Sequence, residues 1–239
     1  MRRKCWAAPI GGCSKKLSRE HIVSEGLWSG DEIAVKGLPW CKTESKFIRR
    51  EEYTANILCT THNNDLSLVD QAGIAAFDVF RKTFAYNRER MNLAASGQWS
   101  GPFDLIRHAV DGVLLERWFL KTLINKEVVG TQGYPIGPTG EVANEPSPAL
   151  VEISFGLRKF DGRFYQSQIR DAPSGSYVAA GLFVFYGMYF LLCLESAGAP
   201  DSVLVRGDGR EVHLDLMYHL TSTKIDVGGR ASQTITFSW

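Results

Sequence analysis

The run Leu58-Cys59-Thr60-Thr61-His62-Asn63-Asn64 constrains this chain more than any other stretch. A sulfur and an imidazole three positions apart can meet one metal ion from a tight turn, and two amides follow at once. Upstream, Cys5 and Cys13 precede the run Ser18-Arg19-Glu20-His21-Ile22. Zinc sites in small folds take four Cys or His ligands, usually as two short-spaced pairs. Cys59 and His62 form one such pair. Cys5 and Cys13 stand further apart, but Pro9, Gly11 and Gly12 lie between them, and these turn-formers can bring the second sulfur back to the first. Cys41, after Gly37-Leu38-Pro39-Trp40, competes for one of the four places.

The chain has five cysteines, an odd count, and its opening Met-Arg-Arg-Lys-Cys-Trp lacks the apolar segment of a secretion signal. A reducing, cytoplasmic setting is expected, where clustered Cys bind metal more often than they form disulfides. The net charge of +1 is unevenly spread. Residues 1–50 carry eleven Lys or Arg against five Asp or Glu, so the remainder is acidic. A basic leading segment points to a polyanionic partner. Tyr177 to Leu194 holds 18 uncharged residues, the lower limit for a spanning helix. Its Phe, Tyr and Val content, with Gly181 and Gly187, favours a buried pair of strands, and no membrane association is expected.

At 239 residues the chain can make one large domain or two small ones. Strands are expected over Leu17 to Val23 and Ile33 to Val35, and within Lys46 to Leu58. From Asn64 to about Arg90, apolar residues recur at three- and four-residue steps (Leu66, Val69, Ala76, Phe77, Phe80), which predicts a helix capped from Asn63-Asn64-Asp65. Asp65 reads as a cap and Asp70 as a solvated helix residue. A second helix is expected from about Phe103 to Lys126, then a Gly/Pro-rich loop over Gly130 to Pro148. Beyond it the period changes to two, predicting strands at Leu150–Leu157, Arg163–Ile169, Leu182–Leu194, Ser202–Val205, Glu211–Leu220 and Gln233–Trp239, with turns at Phe160-Asp161-Gly162 and Gly207-Asp208-Gly209. The fold class is α+β, with an N-terminal module and helix (1–92) and a helix plus antiparallel β domain (103–239) serving recognition, regulation or oligomerisation.

A neutral histidine is a competent base near pH 7, which makes His21 the candidate for chemistry. The order Cys5, Cys13, Glu20-His21-Ile22, then Leu58-Cys59-x2-His62-Asn63 running into a helix, resembles the HNH (His-Asn-His) endonucleases. That family uses a ββα-metal finger, often braced by zinc. The resemblance covers about residues 5–72. It implies that His21 activates water, that Asn56 orients the loop beneath it, and that Asn63 with Glu20 holds a catalytic Mg2+ or Mn2+. It further implies that Cys5, Cys13, Cys59 and His62 hold a structural Zn2+. The implied activity is hydrolysis of DNA phosphodiester bonds, in a context such as restriction or anti-phage defence. Seven residues separate Cys5 from Cys13 where the family has two, the span from His21 to Cys59 is long, and His62 stands where the family usually has Cys. The rival expectation is a zinc-stabilised nucleic-acid-binding or regulatory module without a catalytic ion. A homo-oligomer or partner protein would use the C-terminal segment.

Overall fold

A computed structural model describes residues 5–98, 106–130, 136–137, 143–160, 163–166, 178, 180–186, 188–194, 203–205, 211–213, 222–227 and 230–239. Four strands open the chain: β1 (Leu17–His21), β2 (Glu32–Val35), β3 (Lys46–Arg49) and β4 (Thr54–Cys59). β1 and β4 pair antiparallel, with Leu17 opposite Cys59 and His21 opposite Thr54, and the register slips between Ser18 and Glu20. β2 and β3 form a separate antiparallel ribbon between them. β4 runs directly into α1 (Thr60–Asp65), so strand, strand and helix are consecutive in space.

The helix begins earlier than its polar run suggests. Cys59, with extended backbone, takes the N-cap position, and Asn63, Asn64 and Asp65 lie inside α1. After a break at Leu66, α2 (Ser67–Ala95) continues for 29 residues. Its buried stripe is Val69, Gly73, Ala76, Phe77 and Phe80, the spacing that lays one face on a core.

The helix expected from Phe103 starts later. Ile106 to Asp111 forms β5 (Ile106–Asp111), and α3 (Gly112–Val129) begins at Gly112, capped by the Asp111 carboxylate, which accepts from the Leu114 amide at 2.9 Å. The segment Ile-Arg-His-Ala-Val-Asp buries Val110 between exposed Ala109 and Asp111, a strand-like alternation. Its partner is distant in sequence: β5 pairs in parallel with β12 (Arg230–Ser238), Val110 opposite Phe237. The strand expected at Leu150 is instead α4 (Pro148–Ser154). Pro148 sits in its first turn, where the ring fixes φ and no amide is wasted, and the Ser154 hydroxyl donates to the Leu150 carbonyl at 2.9 Å.

The remaining strands make small sheets. β6 (Arg163–Gln166), β7 (Ala180–Phe185) and β8 (Met188–Cys193) form an antiparallel sheet with β8 in the centre. β9 (Val203–Val205) pairs with β10 (Glu211–His213), and β11 (Ser222–Val227) joins β12 and β5. The uncharged stretch 177–194 is thus a pair of strands in its described part, and no helix among the described residues is long and apolar enough to cross a membrane. The turn residues 161–162 and 207–209, and most of the loop expected after Gly130, lie outside the described residues.

Mixed helix and strand in small sheets make this an α+β chain. α3 is buried nearly all round (Leu115, Trp118, Phe119, Leu120, Leu123 and Ile124), packing on α2, β4, α4 and β8. Gly73 permits the closest approach, since a Cβ there would stand 2.3 Å from Trp118. Phe77 meets Trp118 at 5.0 Å and Phe185 at 4.2 Å between ring centroids, and Phe80 stacks on Phe190 at 5.3 Å. One apolar interior runs from Cys5 and Leu58 through both helices to Phe190 and Phe237, so the segments on either side of residues 92–103 share it.

Candidate metal centre

The centre assembles on a turn that the sequence dictates. Cys59 ends β4, and His62 lies three residues on along α1, a spacing that puts both side chains on one helix face. Cys5 joins them because the Trp6 amide donates to the Ile57 carbonyl at 2.9 Å, which lays the N-terminal segment along β4. A 3-10 turn over Ala8–Ile10 follows. Gly11 and Gly12, at φ 78° and 72°, then adopt the left-handed backbone open to glycine and reverse the chain toward Cys13.

The donor atoms of Cys5, Cys13, Cys59 and His62 lie within 4.8 Å of one another. His62 Nδ1 stands 3.3 Å from the Cys5 sulfur, 3.7 Å from Cys13 and 3.4 Å from Cys59. A tetrahedron with zinc–sulfur bonds of about 2.3 Å and zinc–nitrogen bonds of about 2.0–2.1 Å has sulfur–nitrogen edges of about 3.6 Å. Three edges of the right length meet at one imidazole nitrogen, so this Cys3His group could hold a metal ion such as zinc. Cys5, Cys59 and His62 are buried and Cys13 is exposed, which leaves the ion one approach. Phe155 closes the other side, edge-on to the His62 ring at 5.3 Å.

The thiols differ in acidity. Burial pushes Cys5 up to about 12, against amide donors at Cys59 and Ala7. Burial also raises Cys13. Burial acts upward on Cys59 too, but the His62 amide and the Ser14 side chain and amide outweigh it, and that thiol falls to about 6. Cys59 is therefore the sulfur readiest to take an ion as a thiolate. Cys41, the competitor, is buried elsewhere, in the turn that pairs Leu38 with Cys41, and is not in the cluster.

Glu20 and His21 sit at the other end of β1 and face opposite ways. Glu20 points inward. Lys121 Nζ lies 2.6 Å from its Oε1, and Asn125 Nδ2 donates to the same oxygen at 3.1 Å. Lys121 also binds Asp70 at 2.5 Å. Asp70 accepts from the Ser24 hydroxyl at 2.6 Å, and that hydroxyl accepts from the Trp118 indole at 2.8 Å. The Trp6 indole donates to Asn125 at 3.0 Å, closing the network beside Cys5. Asp70, expected as a solvated helix residue, is thus bound into the interior. Burial raises the Glu20 pKa, which Lys121 opposes. None of these links has a local sequence signal, because the partners lie 46 to 119 positions apart.

The His21 side chain is 31% exposed. Its Nε2 is closed off from solvent 3.4 Å from Glu25 Oε2, in an alignment short of a hydrogen bond. Arg50 holds Glu25 from the far side at 3.3 Å and donates to the Trp28 carbonyl at 3.2 Å. Burial lowers the His21 pKa, and Glu25 acts against that. Asn56 is exposed on β4 where the register slips, and Asn63 is half-buried in the first turn of α1. Among the described residues, neither amide hydrogen-bonds to His21. The residues that hold His21 and Glu20 (Glu25, Arg50, Lys121 and Asn125) carried no motif. No family model, curated protein or solved structure matches the chain.

Proposed function

We propose that the chain is an HNH-type phosphodiester hydrolase acting on nucleic acid, probed first with DNA, and that its Cys3His group carries a structural zinc. The observation that carries this reading is the strand–strand–helix unit itself. β1 presents a half-exposed histidine of lowered pKa at one end, and the metal group braces the β4–α1 turn at the other. With Nε2 covered by Glu25, Nδ1 is the nitrogen left to take a proton from water, and a lowered pKa keeps it neutral near pH 7. The basic residues 1–50 supply phosphate contacts.

The zinc fits its four donors, and it would supply folding energy rather than chemistry. A hard cation fits less well. Glu20 Oε1 is occupied by Lys121 and Asn125, so Asn63 is left as the one expected oxygen donor, and no step is routed through such an ion. That same pairing favours a second reading, a zinc-braced nucleic-acid-binding module without hydrolysis. Incubating supercoiled plasmid with the purified chain and Mg2+ or Mn2+ separates the two. Nicking by the parent that His21→Ala abolishes, with zinc content intact, supports the hydrolase. No nicking by the parent leaves the binding module. A role in restriction or anti-phage defence belongs to this proposal only by analogy with the family.

A further inference from the structure

β1 and β4 pair directly with each other, so the β2–β3 ribbon between them is not needed to build the metal-bearing unit. Its register sorts its side chains. Ile33, Val35 and Ile48 share one face with Lys46 at its edge, while Ala34 and Phe47 lie opposite one another on the outer face with Glu32 and Arg49. Ala34 has only a methyl to offer, and the Phe47 ring is 75% exposed, the highest value among the large apolar side chains described. The turn near the ribbon's tip adds a second ring. Gly37 and Cys41 close it through a 2.8 Å hydrogen bond, Leu38 and Cys41 point inward, and Trp40 is left 45% exposed. Lys46 Nζ lies 6.0 Å from the Trp40 ring centroid. Residues 31–52 carry five Lys or Arg against five Asp or Glu, but residues 36–46 concentrate the positive charge, with Lys36, Lys42 and Lys46 against the single carboxylate of Glu44. Of the five, Arg50 turns back to Glu25 and Arg49 pairs with Glu51 at 3.7 Å.

We propose that this ribbon is a binding arm for single-stranded nucleic acid, with Trp40 and Phe47 as stacking platforms and the lysines Lys36, Lys42 and Lys46 meeting phosphates. Exposed rings interleaved with cations suit a strand whose bases are unpaired, because only unstacked bases offer a free face to a ring. A duplex would satisfy the cations and leave the rings in water. A cleft of about 530 Å³ opens beside Ala34, the residue opposite Phe47, lined by Trp28, Glu32, Phe77, Phe185 and Tyr186, and gives a partly apolar recess that could take a base. The proposal rests on nucleic acid being the ligand class proposed above, and not on cleavage.

The test is fluorescence anisotropy of the 239-residue chain with a labelled twelve-nucleotide oligo-dT and with a duplex of equal length, without added divalent ions. His21→Ala serves as a second parent, so that loss of the hydrolase reading does not touch this one. Both parents bind the single strand more tightly than the duplex. Trp40→Ala with Phe47→Ala weakens single-strand binding roughly five- to hundredfold per lost stack. It leaves duplex binding unchanged. Lys42→Ala with Lys46→Ala lowers the slope of log affinity against log salt by about 1.4. Should the aromatic double variant unfold, Phe47→Ala alone is read instead. Equal affinity for duplex and single strand, or ring variants that bind like the parent, overturn the proposal. Binding to phosphatidylserine vesicles in place of the oligonucleotide, lost in the same variants, also overturns it.

Discussion

His21 is held by opposing influences, and their signs make it testable. Burial favours the neutral imidazole and lowers its pKa below 6.5, while the Glu25 carboxylate at 3.4 Å pulls it back up. A lowered folded pKa means that the neutral ring contributes stability above about pH 6.5, and that this contribution is lost as pH falls through the folded value. Glu25→Gln removes the upward influence and leaves burial unopposed. An NMR titration of the His21 ring should therefore give a midpoint below 6.5 in the parent and a still lower one in the variant. A midpoint that rises in Glu25→Gln would show that Glu25 does not act on the ring through its charge. If His21 is the base for hydrolysis, the acid limb of the rate profile follows the same shift. Much of the metal centre was legible at this scale, because ligand identity and the Cys59-x2-His62 spacing are local properties. Glu25 and Arg50 were not, since a surface Glu and Arg mean little until the turn after β1 places Glu25 beside the ring and the turn after β3 brings Arg50 to Glu25.

Among elements, the chain is tied together by a buried charge. Lys121 on α3 is 3% exposed and joins Glu20 on β1 to Asp70 on α2. Lys121→Met would leave the buried Glu20 carboxylate unpaired, facing the partly exposed one of Asp70. Breaking a buried pair from one side costs about 3–5 kcal/mol. The variant should lose most of that in urea unfolding, and pairing it with Glu20→Gln should restore part of it. A full, unrestored loss would assign the cost to packing instead. The helix contact gives an independent check. Gly73→Ala places a methyl 2.3 Å from the Trp118 ring and should cost about 1–3 kcal/mol, the range for an overpacked core. Element by element, the sequence failed where a partner was remote. β5 alternates like a strand but lies against an apolar helix, and only the pairing with β12 decides it. α4 carries strand-like Leu150, Val151 and Ile153, yet Ser147 and Pro148 set the backbone for a helix start. Where periodicity was long and self-sufficient, as in α2, it was read correctly, whereas the single strand expected over Leu182–Leu194 is the antiparallel pair β7 and β8 with a turn at Tyr186.

At the scale of the whole molecule, the Cys3His group and the apolar interior are continuous. Cys5 and Cys59 belong to the same continuous core as Phe190 and Phe237, and Phe155 carries the contact from the His62 ring to α4. If the group carries the proposed zinc, loss of the ion should therefore be felt throughout the chain. Zinc binding to small metal-dependent folds is worth about 10–16 kcal/mol at neutral pH. This chain has a core of its own, so only a fraction of that figure should appear as stability. A third of it is about 4 kcal/mol, or about 8–16 °C in the unfolding midpoint of a chain this size. Scanning calorimetry with and without chelator should show such a drop as one transition moving as a whole. Two separated transitions after chelation would mean that the N-terminal unit melts alone and that the shared interior does not couple it to the rest. Cys59→Ser should reproduce the chelated curve and be insensitive to further chelator. The direction with pH follows from the thiols. Loading displaces protons, most tightly from Cys5 at about 12, so the gap between metal-loaded and chelated midpoints should narrow as pH falls.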